Sequence, residues 1–103
     1  ALLVFGTVPD PDVGEQIGQR LVADRLAACV NIVAGLTSIY EWQGKIERDH
    51  EHLLLIKTTA ARFAALEAAI KAQHPYELPE IIAVPIDAAS PEYLRWIIDS
   101  TSP

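Results

Sequence analysis

Residues 29–58 read CVNIVAGLTSIYEWQGKIERDHEHLLLIKT, and this stretch decides the fold. Two extended segments, 28–42 and 45–58, cover this stretch, and only Gln43 and Gly44 separate them. Because glycine at the second loop position accepts a positive φ, the pattern predicts a two-residue hairpin. Strands of about 14 residues would reach on the order of 45 Å, against a usual length of about 5 or 6 residues. The sequence therefore predicts an arm that projects past its own domain.

The loop also predicts a register for this hairpin. With Gln43 and Gly44 as the loop, three pairs are expected to face each other: Tyr40 with Glu47, Trp42 with Lys45, and Cys29 with Thr58. Glycine inside a strand often marks a bulge, so Gly35 is expected to bend the first strand. The first of these pairs would allow a hydrogen bond between a phenol and a carboxylate.

The flanking segments complete an alternating pattern. The apolar runs 2–8 (LLVFGTV) and 80–86 (EIIAVPI) predict two more strands. Apolar spacing and capping residues predict three helices: from Pro11 to about Ala27 after Asp10, from Ala60 to Gln73 after Thr59, and from Pro91 with Leu94, Ile97 and Ile98 inward. The order βαββαβ with an extra C-terminal helix predicts an α+β, ferredoxin-like sandwich in a single domain, 1–103.

Composition narrows the function. The chain has 103 residues, 8 Lys plus Arg against 14 Asp plus Glu, and a net charge of −6. This acidic balance argues against a nucleic-acid partner, which would need a basic face. No run approaches the roughly 18 apolar residues of a membrane span, so no membrane partner is expected. The single Cys cannot form an internal disulfide, and a cytoplasmic location is expected.

Three predicted strands are apolar on both faces, namely 2–5, 53–56 and 81–84. Right-handed crossovers would place both long helices on one face of the sheet, so the other face should be polar if it met water. Its apolar residues instead predict burial of sheet against sheet between subunits. The alternative is that the C-terminal helix alone covers this face.

The sequence also resembles a known family. Residues 25–32 (RLAACVNI) resemble a signature of the CutA divalent-cation-tolerance family, and three further segments are similar to it in order and spacing: 38–45 (SIYEWQGK), 54–58 (LLIKT) and 74–81 (HPYELPEI). The resemblance covers essentially the whole chain. It implies a ferredoxin-like subunit in a homotrimer whose hairpin arms embrace neighbours. It also implies a role in tolerance of copper and other divalent cations.

Two sets of residues are candidate metal ligands. Cys29 offers a thiolate, which suits copper or zinc, and His74 is a natural companion. The alternatives are that Cys29 is a small buried apolar residue and that His74 satisfies backbone groups in a rigid loop. His50 and His52 form a second candidate pair, with a solvated hairpin surface as the alternative. Copper is the expected metal, since it tops the divalent affinity order.

The resemblance also favours a pocket at the 74–79 loop, which lies near a subunit boundary in the family. A ligand cleft is expected from Lys57, Tyr76, Glu77, Tyr40, Trp42 and Glu47. Lys57 lies among leucines and would need an acidic partner or a ligand if buried. The alternative for the two hairpin aromatics is contact between subunits. The sequence shows no recognisable pair of catalytic residues, such as a nucleophile with its base, so we expect no enzymatic activity. The leading prediction is a metal-responsive homotrimer; the alternatives are a trimeric sensor of an anionic small molecule and a trimeric scaffold for another protein.

Overall fold

The long hairpin is the largest element of the structure. In the computed structural model, which describes residues 1–103, β2 (Cys29–Trp42) and β3 (Lys45–Thr58) are antiparallel strands of 14 residues each. The molecule extends 45 Å along its longest axis. Gln43 and Gly44 in the loop have φ values of 51° and 82°, and positive values at both positions are what a type I′ turn requires. The predicted two-residue hairpin is confirmed.

The hairpin contains the predicted bulge. Near the loop the register is as predicted, with Tyr40 opposite Glu47 and Trp42 opposite Lys45. The pairing then shifts by one residue between Val33 and Leu36, where Gly35 has a φ of 88°. Glycine reaches this left-handed region at little cost because it has no Cβ. The extra residue in β2 therefore bends the arm at Gly35.

The register beyond the bulge differs from the prediction. Cys29 lies opposite Lys57, so the predicted pairing of Cys29 with Thr58 is wrong. A bulge sets two residues of one strand against one residue of the other, which moves every later pair by one position. The shift places the thiol and the ammonium group on the same face of the sheet.

The remaining elements complete a four-stranded antiparallel sheet with three helices. The strand order is β2-β3-β1-β4, and β1 pairs with both β3 and β4. The other elements are β1 (Leu2–Val8), α1 (Pro11–Ala23), α2 (Phe63–Gln73), β4 (Ile82–Pro85) and α3 (Pro91–Ser100). The α+β, ferredoxin-like fold class is thus confirmed.

The core lies between one face of the sheet and helices α1 and α2. Its main members come from alternate positions of the strands and from one side of each helix: Val4, Val8, Ile17, Leu21, Leu54, Ile56, Leu66 and Ile70. Two glycines allow α1 to approach closely. A Cβ at Gly14 would lie 3.3 Å from Val8, and one at Gly18 would lie 3.4 Å from Val30. The small residues thus set the distance between helix and sheet.

Helix α1 ends earlier than predicted. It begins as expected, since Asp10 accepts a hydrogen bond from the Val13 N–H at 2.9 Å, but it ends at Ala23 and not at Ala27. Arg25 has a φ of 58°, a left-handed conformation that stops the helix. The Arg25 Nε also donates to the Ser102 carbonyl at 2.6 Å. The early stop therefore ties α1 to the end of α3.

Two other boundaries and the orientation of one side chain also differ from prediction. Residues 80–86 were expected to form a strand, but β4 is limited to Ile82–Pro85. The second helix starts with a 3₁₀ turn over Ala60–Arg62, and the Thr59 side chain makes no capping bond. In α3, Ile97 is buried but Ile98 is half exposed, so Ile98 does not face inward as predicted.

The second face of the sheet, which we call the open face, carries no covering helix over β1 and β4. Directly opposed residues share a face, so Leu3 and Phe5 of β1 lie there beside Val84 and Ile82 of β4. Ile82 is 56% exposed and Val84 is 44% exposed. Helix α3 contacts β3 and leaves these residues uncovered. The C-terminal helix does not cover this face alone.

Candidate functional site

The open face becomes polar toward the hairpin loop. Glu51 lies opposite Leu36, and Asp49 lies opposite Ser38, on the same face of the sheet as Tyr40 and Trp42. The alternation of the two strands thus gathers carboxylates and aromatic rings on one surface.

The loop after α2 lies against this surface through His74. The His74 Nε2 atom is 2.7 Å from the carbonyl oxygen of Thr7, and Nδ1 accepts a hydrogen bond from the Tyr76 N–H at 3.1 Å. A carbonyl only accepts, so we infer a neutral imidazole with its proton on Nε2. The His74 and Tyr76 rings contact each other in a tilted arrangement, with a centroid distance of 4.6 Å and an interplanar angle of 53°. His74 therefore anchors the loop, with both ring nitrogens engaged.

Tyr76 reaches a buried carboxylate. Its hydroxyl donates to Oε2 of Glu51 at 2.7 Å, and Glu51 is only 5% exposed. Burial and then this hydrogen bond raise the pKa of Tyr76 well above its ordinary value of 10.0. Tyr76 therefore stays a neutral hydrogen-bond donor at physiological pH.

Tyr40 forms a second pair of a phenol with a carboxylate. Its hydroxyl donates to Asp49, which lies diagonally across the hairpin, and not to the directly opposed Glu47, for which the register allowed such a bond. A tyrosine side chain is long enough to span such a diagonal. The bond to Asp49 raises the pKa of Tyr40 to about 12.

The hairpin and the loop enclose a cleft, which we call the acidic cleft, with a volume of about 640 Å³. It is lined by Thr7, Ser38, Ile39, Tyr40, Trp42, Glu51, Pro75, Tyr76, Glu77, Leu78 and Glu80. The structure thus brings together four of the six predicted cleft residues: Tyr40, Trp42, Tyr76 and Glu77. Lys57 and Glu47 do not line it.

Sequence reasoning missed Glu51 and Glu80 as lining residues. The hairpin register alone places Glu51 on the face of Tyr40, and that signal was available from the position of the loop. Nothing in the sequence indicated Glu80, because its place depends on how the loop after α2 folds back over the sheet.

Cys29 lies in a separate polar cluster near the start of β2. The Lys57 Nζ donates to Oδ1 of Asn31, and the Cys29 Sγ lies 3.8 Å from the same oxygen. Lys57 is only partly buried, and its partner is a neutral amide in place of the acidic group or ligand that burial would require. Cys29 is half-buried and forms no disulfide. The cluster offers one soft donor with an ammonium group close by.

The chain alone does not join Cys29 and His74 in one site. Cys29 lies beside Lys57 on β3, whereas His74 contacts Thr7, which pairs with Leu53. Four residues along a strand separate these positions by about 13 Å. No three His, Cys, Asp or Glu side chains of the chain are grouped so that they could hold a metal ion. The donor set within one chain therefore does not fit a closed metal centre.

The two hairpin histidines lie on the opposite face of the sheet. His50 is exposed, with Nδ1 3.5 Å from the Thr37 hydroxyl. His52 lies opposite Val8, and its Nδ1 is buried without a hydrogen-bond partner. The chain provides no third ligand for this pair.

Comparison with known proteins identifies the family of this chain. The family model described as CutA1 divalent ion tolerance protein matches residues 2–100. The chain belongs to the CutA1 family. The divalent-cation tolerance protein CutA of Thermus thermophilus is 52% identical over 99 residues, which cover 96% of each chain. The family named from the resemblance is thus confirmed.

Two further CutA proteins show how far the similarity extends. The crystal structure of CutA from Xylella fastidiosa has a TM-score of 0.96 and 48% identity, covering 98% of this chain and 97% of the other. A chloroplastic CutA of Arabidopsis thaliana is 44% identical over 98% of this chain, which spans 56% of the length of that relative. The similarity to CutA proteins therefore extends over nearly all of the chain. None of its helices is long and apolar enough to cross a membrane.

Proposed function

We propose that this CutA1-family chain acts as a homotrimer in divalent-cation tolerance and binds copper between its copies. The apolar open face carries the proposal. No helix covers the apolar side chains of this face, which are Leu3, Phe5, Ile82 and Val84. Burial of apolar surface stabilises an association by about 25 cal/mol per Å². A surface of this kind marks a site of association.

The hairpin arm supports contact between copies. Ile39 is 71% exposed and Ile46 is 80% exposed, on a part of the hairpin that extends past the bulge. Two large aliphatic side chains so exposed on one arm would be covered if the arm lay on a neighbour. A trimer with embracing arms buries both the arm and the open face.

Copper binding is assigned to Cys29. It supplies the only thiol of a chain without methionine, and a soft thiolate suits Cu(I). Since one chain groups no three ligands, the remaining donors would come from neighbouring copies. His74 could join only by giving up one of its two ring contacts, the Tyr76 N–H at Nδ1 or the Thr7 carbonyl at Nε2.

Two measurements on the wild-type protein test this proposal. Light scattering is expected to give a mass near three times 11.3 kDa that resists dilution. Copper titration is expected to show binding that Cys29→Ala removes. A monomer at micromolar concentration would contradict the assembly, and unchanged copper affinity in Cys29→Ala would remove the thiol from the mechanism.

A trimeric small-molecule sensor is the second candidate. The acidic cleft favours it, because a volume of about 640 Å³ lies in the usual range of ligand sites. Lys57 does not line the cleft, so the cleft offers no positively charged side chain to bind the anionic ligand that the sequence predicted. In neither candidate does the chain catalyse a reaction, and we place the protein in the cytoplasm. Broad hydrolase and phosphatase screens are expected to return background rates, and turnover that Cys29→Ala abolishes would contradict this.

A further inference from the structure

Arg25 is the first residue of the segment 25–32, and metal binding does not explain its contacts. Its guanidinium donates to two carbonyl oxygens at the end of α3, from Nε to Ser102 at 2.6 Å and from Nη2 to Asp99. These acceptors lie 77 and 74 positions away along the chain. One side chain therefore joins the loop after α1 to the end of α3.

Helix α3 lacks a positive charge of its own at this end. Its last turn contains no basic residue and includes Asp99. The carbonyl end of a helix carries partial negative charge, so a carboxylate there is unfavourable and a cation is favourable. The hydroxyls of Thr101 and Ser102 donate to carbonyls one turn back and satisfy part of the unpaired groups. Arg25 supplies two further donors and the missing cation.

The backbone of Arg25 is itself held in place. Its φ of 58° is a conformation that a side chain other than glycine adopts only where its surroundings enforce it. Nε of Arg62 donates to the Arg25 carbonyl at 3.3 Å, and the next carbonyl, of Leu26, accepts the buried Thr58 hydroxyl at 2.7 Å. The first turn before α2 and the end of β3 therefore fix the position from which the guanidinium reaches α3.

The remaining attachment of α3 is thin. Ile97 is the only buried residue of the helix, and Thr101 directly after it is also buried. Tyr93, Trp96 and Ile98 are between 42% and 45% exposed. No residue of α3 belongs to the core between the sheet and helices α1 and α2. Segments with few buried apolar contacts are those that open locally before the core unfolds.

We propose that α3 is a detachable strap and that Arg25 is its latch. When the guanidinium leaves the two carbonyls, α3 separates from the subunit as one unit, while the sheet, α1 and α2 stay folded. Arg25 is thus a positioning residue for α3. This device is independent of the copper and trimer proposals, because it uses neither Cys29 nor the open face.

Hydrogen exchange of the full-length chain, read by mass spectrometry, tests the latch. Arg25→Gly is the main variant, because glycine accepts a φ of 58° and the change removes only the side chain. The amides of residues 95–101 are expected to exchange about tenfold faster or more, as for the loss of charge-assisted hydrogen bonds. The amides of β1 and α2 are expected to stay within about twofold of the wild type, since the core remains closed.

Two further variants separate the contact from its charge. Arg20→Ala is the matched control, since Arg20 lies on α1, is 65% exposed at its side chain and pairs only with Asp24. It removes the same charge, and exchange of α3 should stay within about twofold, as exposed ion pairs contribute little. Arg25→Lys keeps the charge but loses the planar fork that donates to two acceptors. It is expected to accelerate exchange of α3 by a factor between those of wild type and Arg25→Gly.

Three outcomes would overturn the proposal. Unchanged exchange of α3 in Arg25→Gly would show that the contact holds nothing. Equal acceleration throughout the chain would show that α3 opens only together with the core. Equal acceleration of α3 in Arg20→Ala would assign the effect to net charge. If Arg25→Gly does not fold, Arg25→Lys decides, and wild-type exchange of α3 in that variant would contradict the latch.

Discussion

The hydroxyl of Tyr76 lies 2.7 Å from Oε2 of Glu51, and this bond ties the loop after α2 to the middle of β3. A neutral donor thus meets a carboxylate that is almost fully buried. Oε2 of Glu51 loses this hydrogen bond when the Tyr76 phenol is removed or ionised. The bond should therefore affect both the stability of the protein and its dependence on pH.

Removing this hydroxyl should destabilise the protein. Tyr76→Phe is expected to lower the free energy of unfolding by about 1–3 kcal/mol, the cost of leaving a buried acceptor without its donor. Urea denaturation at fixed protein concentration measures the change. Tyr93→Phe is the control, since the Tyr93 side chain is exposed and its hydroxyl makes no hydrogen bond. Equal losses in the two variants would show that the bond to Glu51 contributes nothing.

Alkaline pH should weaken the fold through the same tyrosines. The folded-state pKa is about 12 for Tyr40 and higher still for Tyr76, against 10.0 for an unperturbed phenol. Above pH 10 the unfolded chain therefore releases these protons first, and stability falls as pH rises toward 12 and beyond. Ultraviolet titration of phenolate together with denaturation monitors this. The Tyr40→Phe, Tyr76→Phe double variant should lose the late phenolate phase, and its persistence would contradict the assignment.

The bulge at Gly35 should resist substitution for a purely backbone reason. Its φ is 88°, and a Cβ built there would meet no atom within 4 Å. Gly35→Ala is therefore expected to cost about 1–2 kcal/mol from the left-handed conformation alone. Gly35→Asn should cost less, because asparagine tolerates this region better. Thermal unfolding compares the two, and an unaffected Gly35→Ala variant would show that the bulge relaxes.

A charged side chain placed on the open face should disrupt the proposed trimer. Leu55 lies opposite Phe5 and therefore belongs to this face. Leu55→Asp is expected to dissociate or unfold the trimer, because the carboxylate would lose its hydration in an apolar interface. Val22→Asp is the control: Val22 is 44% exposed on α1, away from the open face. Light scattering of both variants decides the point. A trimer that survives Leu55→Asp would place the interface elsewhere.

Copper binding should not depend on the hairpin histidines. The His50→Ala, His52→Ala double variant is expected to keep wild-type affinity, since the Nδ1 of His52 is buried and the pair has no third ligand. Isothermal titration with copper provides the measurement. Lost affinity in this variant, with release of copper as pH falls through about 6.5, would assign the metal to imidazoles and not to Cys29.

Local sequence patterns determined the fold and part of the cleft. The hairpin, the bulge at Gly35 and the caps at Asp10 and Ser90 follow from backbone preferences of single residues, which act over a few positions. The alternation of a strand also placed Tyr40 and Trp42 on one face. Motifs that lie far apart in the chain gave the family, because they stand in the same order and spacing as in its members.

Only the tertiary structure decided which of these residues meet. The one-residue shift at Gly35 set Cys29 against Lys57, and the fold of the loop after α2 brought Tyr76 to Glu51. Both depend on packing between segments remote in sequence, which no local preference encodes. The charge of the cleft has the same cause: Glu51 comes from the hairpin and Glu77 and Glu80 come from the loop, so the negative sign appears only when the two segments are assembled.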